Sequence, residues 1–160
     1  MPNHVQNVLV IEGHEMHLRP MLEKIKSDKG AIDFNKIIPM PKELNGTTSP
    51  SRIITQAEYD KREYQKNFQA EEKYPNMIGK AITKKMQKDY ITRFGYDNWY
   101  DWAINNWGTK WGAYDTSITD ATDSGKNRKQ VTIYFQTAWS SGANVIQHLA
   151  DQFPTLDFYL

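Results

Sequence analysis

Hydrophobic and polar positions change period twice along this chain. His4 to Ile11 (HVQNVLVI) puts Val5, Leu9 and Ile11 on one parity and Val8 and Val10 on the other, with Gly13 closing the run. That pattern predicts a first strand covered largely on both faces. Leu18, Met21, Leu22 and Ile25 then recur at helical spacing, with Pro20 in the early turns and Gly30 as a stop signal, which predicts a helix over about Glu15 to Ser27. Pro39 and Pro41 forbid a central strand and favour an extended connector, which runs into the loop-forming Asn45, Gly46, Thr47 and Ser49. From Thr55 a solvated helix carrying Ala57, Tyr64 and Phe68 is expected, broken near Pro75. A second helix is expected from about Asn76 to Phe94, with Ile78, Ile82, Met86 and Tyr90 on one side. A third, capped by Asp97, runs from Asn98 to about Asn106.

Beyond this helical block the period returns to two. Trp111 to Thr119 and Gln130 to Ala138 read as strands joined by a long mobile loop, Asp120 to Lys129. Ser140 or Ser141 caps a short helix with Val145, Ile146 and Leu149 on one side, and Leu156, Phe158 and Leu160 mark a final strand. With the block removed, the order is βαββαβ, an α+β ferredoxin-like sandwich with a helical insertion between the first helix and the second strand. The expected organisation is a single domain over 1–160. Its parts are a first βα unit over 1–30, a connector and insertion over 31–107, and a ββαβ unit over 108–160. The expected common core is Leu9, Ile11, Leu22, Val131, Ile133, Phe135, Ile146, Leu149 and Phe158.

Composition narrows the chemistry. Zero cysteines among 160 residues exclude a disulfide framework, a thiol nucleophile and thiolate-held zinc or iron–sulfur clusters. A net charge of +1, from 20 Lys and Arg against 19 Asp and Glu, supplies no global field toward nucleic acid or membrane. No apolar run is long enough for a transmembrane helix, and the start lacks the basic and apolar segments of a secretory signal, so the expected location is the cytoplasm.

Pro2-Asn3-His4 with Asn7, the stretch Phe34 to Pro41 (FNKIIPMP), the run Asn106 to Tyr114 (NWGTKWGAY) and Phe135-Gln136-Thr137-Ala138-Trp139 occur in that order across nearly the whole chain. In these motifs the chain resembles the YubB-type ferredoxin-like domain proteins of bacteriophages and plasmids. The resemblance implies a mobile-element origin, a host-cell setting and an accessory or counter-defence role, an anti-CRISPR activity among the candidates. Family chains often continue past the last strand, so an end at Leu160 is a departure from the pattern.

The candidate sites each have a structural reading beside the functional one. His14 and His17, three apart at a helix start, could share a face as metal ligands, but with no third ligand evident they and His4 and His148 read as surface histidines, and no metal is expected. Eight aromatic residues fall between Phe94 and Tyr114. Trp99, Trp102, Trp107 and Trp111 among them are expected to form a structural cluster joining the block to the sheet, with Trp107 and Trp111 largely buried. The alternative is an exposed docking platform, since Trp and Tyr dominate binding hot spots. Tyr114, Tyr134 and Tyr159 are expected on the sheet face away from the helices, where they could stack bases, although the strands hold no interleaved cations and no RNA-recognition signature. Lys80, Lys84 and Lys88 at helical spacing, with Lys85 and Arg93 nearby, predict a basic stripe that is either a solvated face or a phosphate or acidic-protein contact.

Neither a nucleophile elbow nor a phosphate-binding glycine loop nor a defined carboxylate pair is present, and no catalytic residue or cofactor is expected. The favoured function is therefore a non-enzymatic accessory protein that binds a host protein or nucleoprotein complex. A nucleic-acid binder using the sheet tyrosines and the basic helix is the alternative, and a hydrolase with a non-local site the third.

Overall fold

The computed structural model describes residues 3–68 and 80–160. The chain divides into two compact units, one formed by Met1–Pro39 with Ala103–Leu160 and the other by Met40–Trp102.

In the first unit, β1 (His4–His14) is the strand on which the rest is laid. It pairs along its whole length with the equally long β6 (Arg128–Ala138), from His4 opposite Ala138 to His14 opposite Arg128. On the outer side of β6 lie β4 (Tyr114–Ile118) and β5 (Thr122–Gly125), and on the outer side of β1 lies β7 (Asp157–Tyr159). The path β4-β6-β1-β7 is antiparallel throughout, so both long strands are central.

Strand parity decides what is buried, because successive side chains alternate across a sheet. Leu9, Ile11, Val131, Ile133 and Phe135 point to one face and are nearly inaccessible. Two helices, α1 (Glu15–Ile25) and α5 (Ala143–Gln152), contribute Leu18, Met21 and Ile25, and Val145, Ile146 and Leu149 to the core. Burying each such side chain is worth about 1.5 to 3 kcal/mol. The opposite parity is not covered: Val8 is exposed and Val10 half-buried, so β1 has one covered face where its continuous apolar run predicts two. Leu22 and Phe158 are half-buried at the margin of the core rather than inside it. The helix stripe centres instead on Leu18, Met21 and Ile25, which share one side at spacings of three and four.

No loop separates β1 from α1. His14 ends the strand and caps the helix, its Nδ1 accepting from Met16 N–H at 3.1 Å. At the other helix the expected serine cap is absent: Gly142 precedes α5 without a side-chain cap, and Ser140 Oγ donates to the Gly108 carbonyl instead. Glycine is required there by space, since a Cβ at 142 would lie 2.8 Å from Phe34 Cζ. That contact reflects the connector, where Phe34 to Lys36 forms one 3₁₀ turn rather than an extended segment. Phe34 is buried edge-on to Phe135 and Trp107, both with ring centroids 6.0 Å away.

The stretch 120–129 is not a mobile loop. Thr122 to Gly125 pairs with Arg128 to Gln130 around a tight turn in which Asn127 takes φ +59°, a left-handed value that asparagine tolerates. The segment is polar because every residue of β5 is exposed, and a strand without a buried face shows no alternation.

In the second unit, β2 (Ile53–Ile54) and β3 (Ile82–Thr83) form a short parallel pair, which a purely helical block does not anticipate. Around them lie α2 (Gln56–Phe68) and α3 (Lys84–Phe94). Thr83 starts α3, its hydroxyl accepting from Met86 N–H, and Gly95 at φ +82° ends it. The helix is thus shorter than the expected Asn76 to Phe94, of which 76–79 lies outside the described residues, as does the break near Pro75. Leu44, Ala81, Ile82, Tyr90 and Trp102 are buried here. The last helix, α4 (Trp99–Asn106), carries the unit boundary and starts one residue later than expected. Asn98, not Asp97, caps it, accepting from Asp101 N–H at 2.9 Å.

Candidate functional site

The uncovered sheet face of the first unit is built by the even positions of β1 and β6. Register sets Ser117, Tyr134 and Val8 in one row across three strands, and Thr132, Val10 and Tyr159 in the next. Val8, Tyr134 and Tyr159 are 47%, 45% and 57% exposed. One end of this face is closed electrostatically: Arg128 spans Glu12 at 3.1 Å and Asp157 at 2.7 Å, so its cation is neutralised by two carboxylates. The face therefore offers rings, methyls and amides, and its guanidinium is already engaged.

At the other end of the strands the residues of the tryptophan-glycine run come together with the end of β6. Lys110 Nζ stands 5.1 Å from the ring centroids of both Trp111 and Trp139, a cation held between two indoles. Trp111 meets Tyr114 edge-on, and the Tyr114 hydroxyl hydrogen-bonds His4 Nδ1. Burial, and then the nearby Asp115 carboxylate, push the Tyr114 hydroxyl above its ordinary pKa. Trp139 takes φ +76°, a left-handed conformation that costs a bulky residue on the order of 1 kcal/mol or more. Its N–H is held by the Asn3 carbonyl at 2.9 Å, and its ring is 45% exposed. The sequence pattern does not single out Trp139 as a site residue. A break in parity marks it, since Thr137 and Ala138 are both buried at consecutive positions just before it.

The four tryptophans expected to form one cluster have different surroundings. Trp107 is buried in the first unit, its Nε1 donating to the Ile38 carbonyl at 2.8 Å, whereas Trp111 is only half-buried, against its expected burial. In the second unit Trp102 is buried, and Trp99 is half-buried beside Tyr100. Tyr114 is half-buried, so of the three sheet tyrosines only Tyr134 and Tyr159 are open.

The basic stripe is shorter than its spacing implies. Lys80 is not on α3: it bridges Thr47 in an extended segment, and its Nζ donates to the Glu43 carbonyl at 3.2 Å. Arg93 is bound by Asp89 at 2.8 Å and Glu43 at 2.9 Å. Lys84, Lys85 and Lys88 remain as exposed cations, with no ion pair among the described residues.

Close by in the second unit, Asn98 is buried with its amide donating to Asp97 Oδ1 at 2.8 Å and Asp101 Oδ2 at 2.9 Å, while Gln87 donates to Asp97 Oδ2. Burial alone would push the Asp97 carboxyl up, but hydrogen bonds from Gln87, Ser51 and Asn98 outweigh it and hold the group below its ordinary value. A depressed carboxyl stabilises the folded state above its unfolded pKa, and that contribution is lost as pH falls through the folded one. Urea midpoints are therefore expected to fall as the pH drops below about 4. In Asp97→Asn that part of the pH dependence should flatten. Parallel pH profiles for the two proteins would remove Asp97 as its source.

Among the described residues no group of three or more His, Asp or Glu side chains is placed to hold a metal ion. The His14 and His17 rings are tilted with centroids 6.2 Å apart, and His14 Nδ1 is already used as the cap of α1. No described helix is long and apolar enough to cross a membrane.

A family model, the ferredoxin-like domain in Api92-like proteins, matches residues 106–160. The matched segment holds Lys110, Trp111, Trp139 and the strands β4 to β7. No curated protein and no solved structure matches the chain.

Proposed function

We propose that this chain is a non-enzymatic binding protein that holds a partner protein on the uncovered face of its β4-β6-β1-β7 sheet. The observation that carries the reading is the patch of Val8, Tyr134 and Tyr159, exposed in two neighbouring rows of three adjacent strands whose other face is packed by helices. Apolar and aromatic groups grouped on a rigid sheet are a protein-docking surface by composition. A protein is favoured over nucleic acid because the guanidinium on this face is paired with Glu12 and Asp157, and Lys110 lies between two indoles. Phosphate binding would require free cations beside the rings.

The element order β1, α1, β4 with β5, β6, α5, β7 supports reading the first unit as the βαββαβ frame, with Met40–Trp102 inserted between its first helix and second strand. Together with the motif resemblance to YubB-type proteins, this supports an accessory protein of a phage or plasmid. Such a protein would act in the host cytoplasm on a host protein or nucleoprotein complex, a defence system being the class of target.

Capture from host lysate, with and without nuclease, tests the reading. A stoichiometric protein partner is expected to survive nuclease, and Tyr134→Ala/Tyr159→Ala is expected to lower its affinity about tenfold or more, since buried tyrosines at interfaces are worth upwards of about 1 to 2 kcal/mol each. Both positions are exposed, so the melting temperature should hold. Nuclease-sensitive capture, with a log-affinity to log-salt slope reduced in Lys84→Gln/Lys88→Gln, would replace this reading by the nucleic-acid one. Unchanged capture in the tyrosine variant would move the docking surface elsewhere.

A further inference from the structure

The chain contains one asparagine followed directly by glycine, Asn45-Gly46. Asparagine is thermolabile because the main-chain nitrogen after it can close on its side-chain carbonyl carbon in a five-membered ring. A following glycine has no side chain to hinder that approach. In a folded chain the outcome then depends on how freely the peptide between the two residues can turn. Asn7 and Asn98, by contrast, are buried and hydrogen-bonded, and the bulky Val8 and Trp99 follow them.

Leu44 to Thr47 is a type II turn. Asn45 has φ −64° and ψ 128°, Gly46 has φ +78°, and Thr47 N–H donates to the Leu44 carbonyl at 3.2 Å. A Cβ at 46 would meet nothing within 4 Å, so the Gly46 nitrogen stands in open space. The Asn45 side chain is exposed, and neither it nor the Asn45 C=O nor the Gly46 N–H has a hydrogen-bond partner among the described residues. The bonds that hold the turn lie outside this peptide: Thr47 N–H and Oγ1 donate to the Leu44 carbonyl, and Lys80 N–H donates to the Gly46 carbonyl at 2.7 Å. The Asn45–Gly46 peptide can therefore invert toward the type I arrangement, by opposite rotations about Asn45 ψ and Gly46 φ, without breaking a hydrogen bond. In one sense of that rotation the Gly46 nitrogen passes on the side of Asn45 Cβ, which is the position for attack.

We propose that Asn45 is a site of spontaneous covalent modification, at which this turn converts to an isoaspartyl linkage. The Gly46 nitrogen gives up its proton and bonds to Asn45 Cγ, and the side-chain nitrogen leaves as ammonia. Water then opens the cyclic imide. Cleavage of the new bond leaves aspartate at position 45. Cleavage of the original main-chain bond leaves isoaspartate, which routes the backbone through Cβ and Cγ and lengthens it by one carbon. The flanks of the turn are fixed against such a lengthening, since Leu44 and Thr47 are buried and Thr47 Oγ1 accepts from Trp99 N–H at 3.0 Å, at the start of α4. Isoaspartate should therefore release the Lys80 and Trp99 amides, whereas aspartate only adds a charge.

Ageing of the full chain in neutral buffer at body temperature, followed by mass spectrometry of the tryptic peptide Glu43–Arg52, tests the proposal. The peptide is expected to become about 1 Da heavier, as ammonia is lost and water gained, and to split into two chromatographic peaks. Asn45→Gln should stay unchanged, because its ring would need a sixth member. Conversion in the folded protein should run within about tenfold of that in urea, since no hydrogen bond has to break and a factor of ten corresponds to about 1.4 kcal/mol of barrier. In the isoaspartyl form, separated by chromatography, the Lys80 and Trp99 amides are expected to exchange at least about tenfold faster, and in Asn45→Asp to exchange as in the wild type. A folded rate more than about tenfold below the urea rate would mean that the turn locks the peptide, and would overturn the proposal. So would a mass gain that persists in Asn45→Gln, or an isoaspartyl chain whose Lys80 and Trp99 amides are as protected as before.

Discussion

Truncating Phe135 to alanine is expected to destabilise the sheet-bearing unit by about 3 to 5 kcal/mol, the range for removing a fully buried phenylalanine from a core that cannot collapse. Collapse is prevented from two directions. Phe34 meets the Phe135 ring edge-on at 6.0 Å, and Gly142 lies so close that a Cβ there would be 3.3 Å from Phe135 Cε2. The adjacent Tyr134 projects from the other face, and Tyr134→Ala should stay within about 0.5 kcal/mol. The contrast between neighbours is the test of strand parity. Amide exchange of β6 residues in urea is the appropriate measurement, because a chain with two compact units need not unfold in one transition. Equal midpoints for the two variants would mean that the parity of β6 is wrong.

The second large effect is expected at Asn7, a buried polar residue inside a sheet. Its amide nitrogen donates to the Val5 and Phe135 carbonyls and to Thr137 Oγ1 at 2.9 Å, while its oxygen accepts from Gly142 N–H at 3.4 Å. Thr137 in turn donates to the Ser140 carbonyl. One side chain thus ties β1 to the turn that carries β6 into α5 and to the first turn of that helix. Asn7→Ala removes the tie to Thr137 Oγ1 and leaves the buried Gly142 N–H without a partner, and is expected to cost about 1 to 3 kcal/mol. Faster exchange should appear first at the start of α5. Asn7→Asp keeps the acceptor toward Gly142 but turns a buried carboxylate oxygen toward the Val5 and Phe135 carbonyls and Thr137 Oγ1, and should cost at least as much as alanine at neutral pH. An alanine variant as stable as the wild type would show that water or a rearranged turn satisfies the network.

The alternation of Val131, Ile133 and Phe135 with Thr132 and Tyr134 is enough to locate β6 and its parity, whereas the continuous apolar run Val8 to Ile11 locates β1 without saying which of its faces is covered. A period of two is a local property of a half-buried strand. The same holds for Val145, Ile146 and Leu149, whose helical spacing identifies α5. The exposure of Tyr134 and Tyr159 on the candidate face follows from that parity alone.

What local pattern leaves open depends on partners distant in sequence. β5 is polar on both faces and becomes a strand only because β6 offers it an edge. Lys80 matches the spacing of a helical stripe, yet its main chain is drawn into an extended bridge by Thr47, far earlier in the chain. Trp111 and Trp139 are well separated along the chain, and only the return of β6 beside the tryptophan-glycine run places Lys110 between their rings. The second neighbour of β1 is equally invisible in the strand's own residues: among the described residues β7 meets Val10 to Glu12, a pairing set by a segment far later in the chain. Side-chain periodicity is written in the chain itself, whereas register, strand neighbours and the satisfaction of backbone groups are properties of pairs of segments, which tertiary packing alone decides.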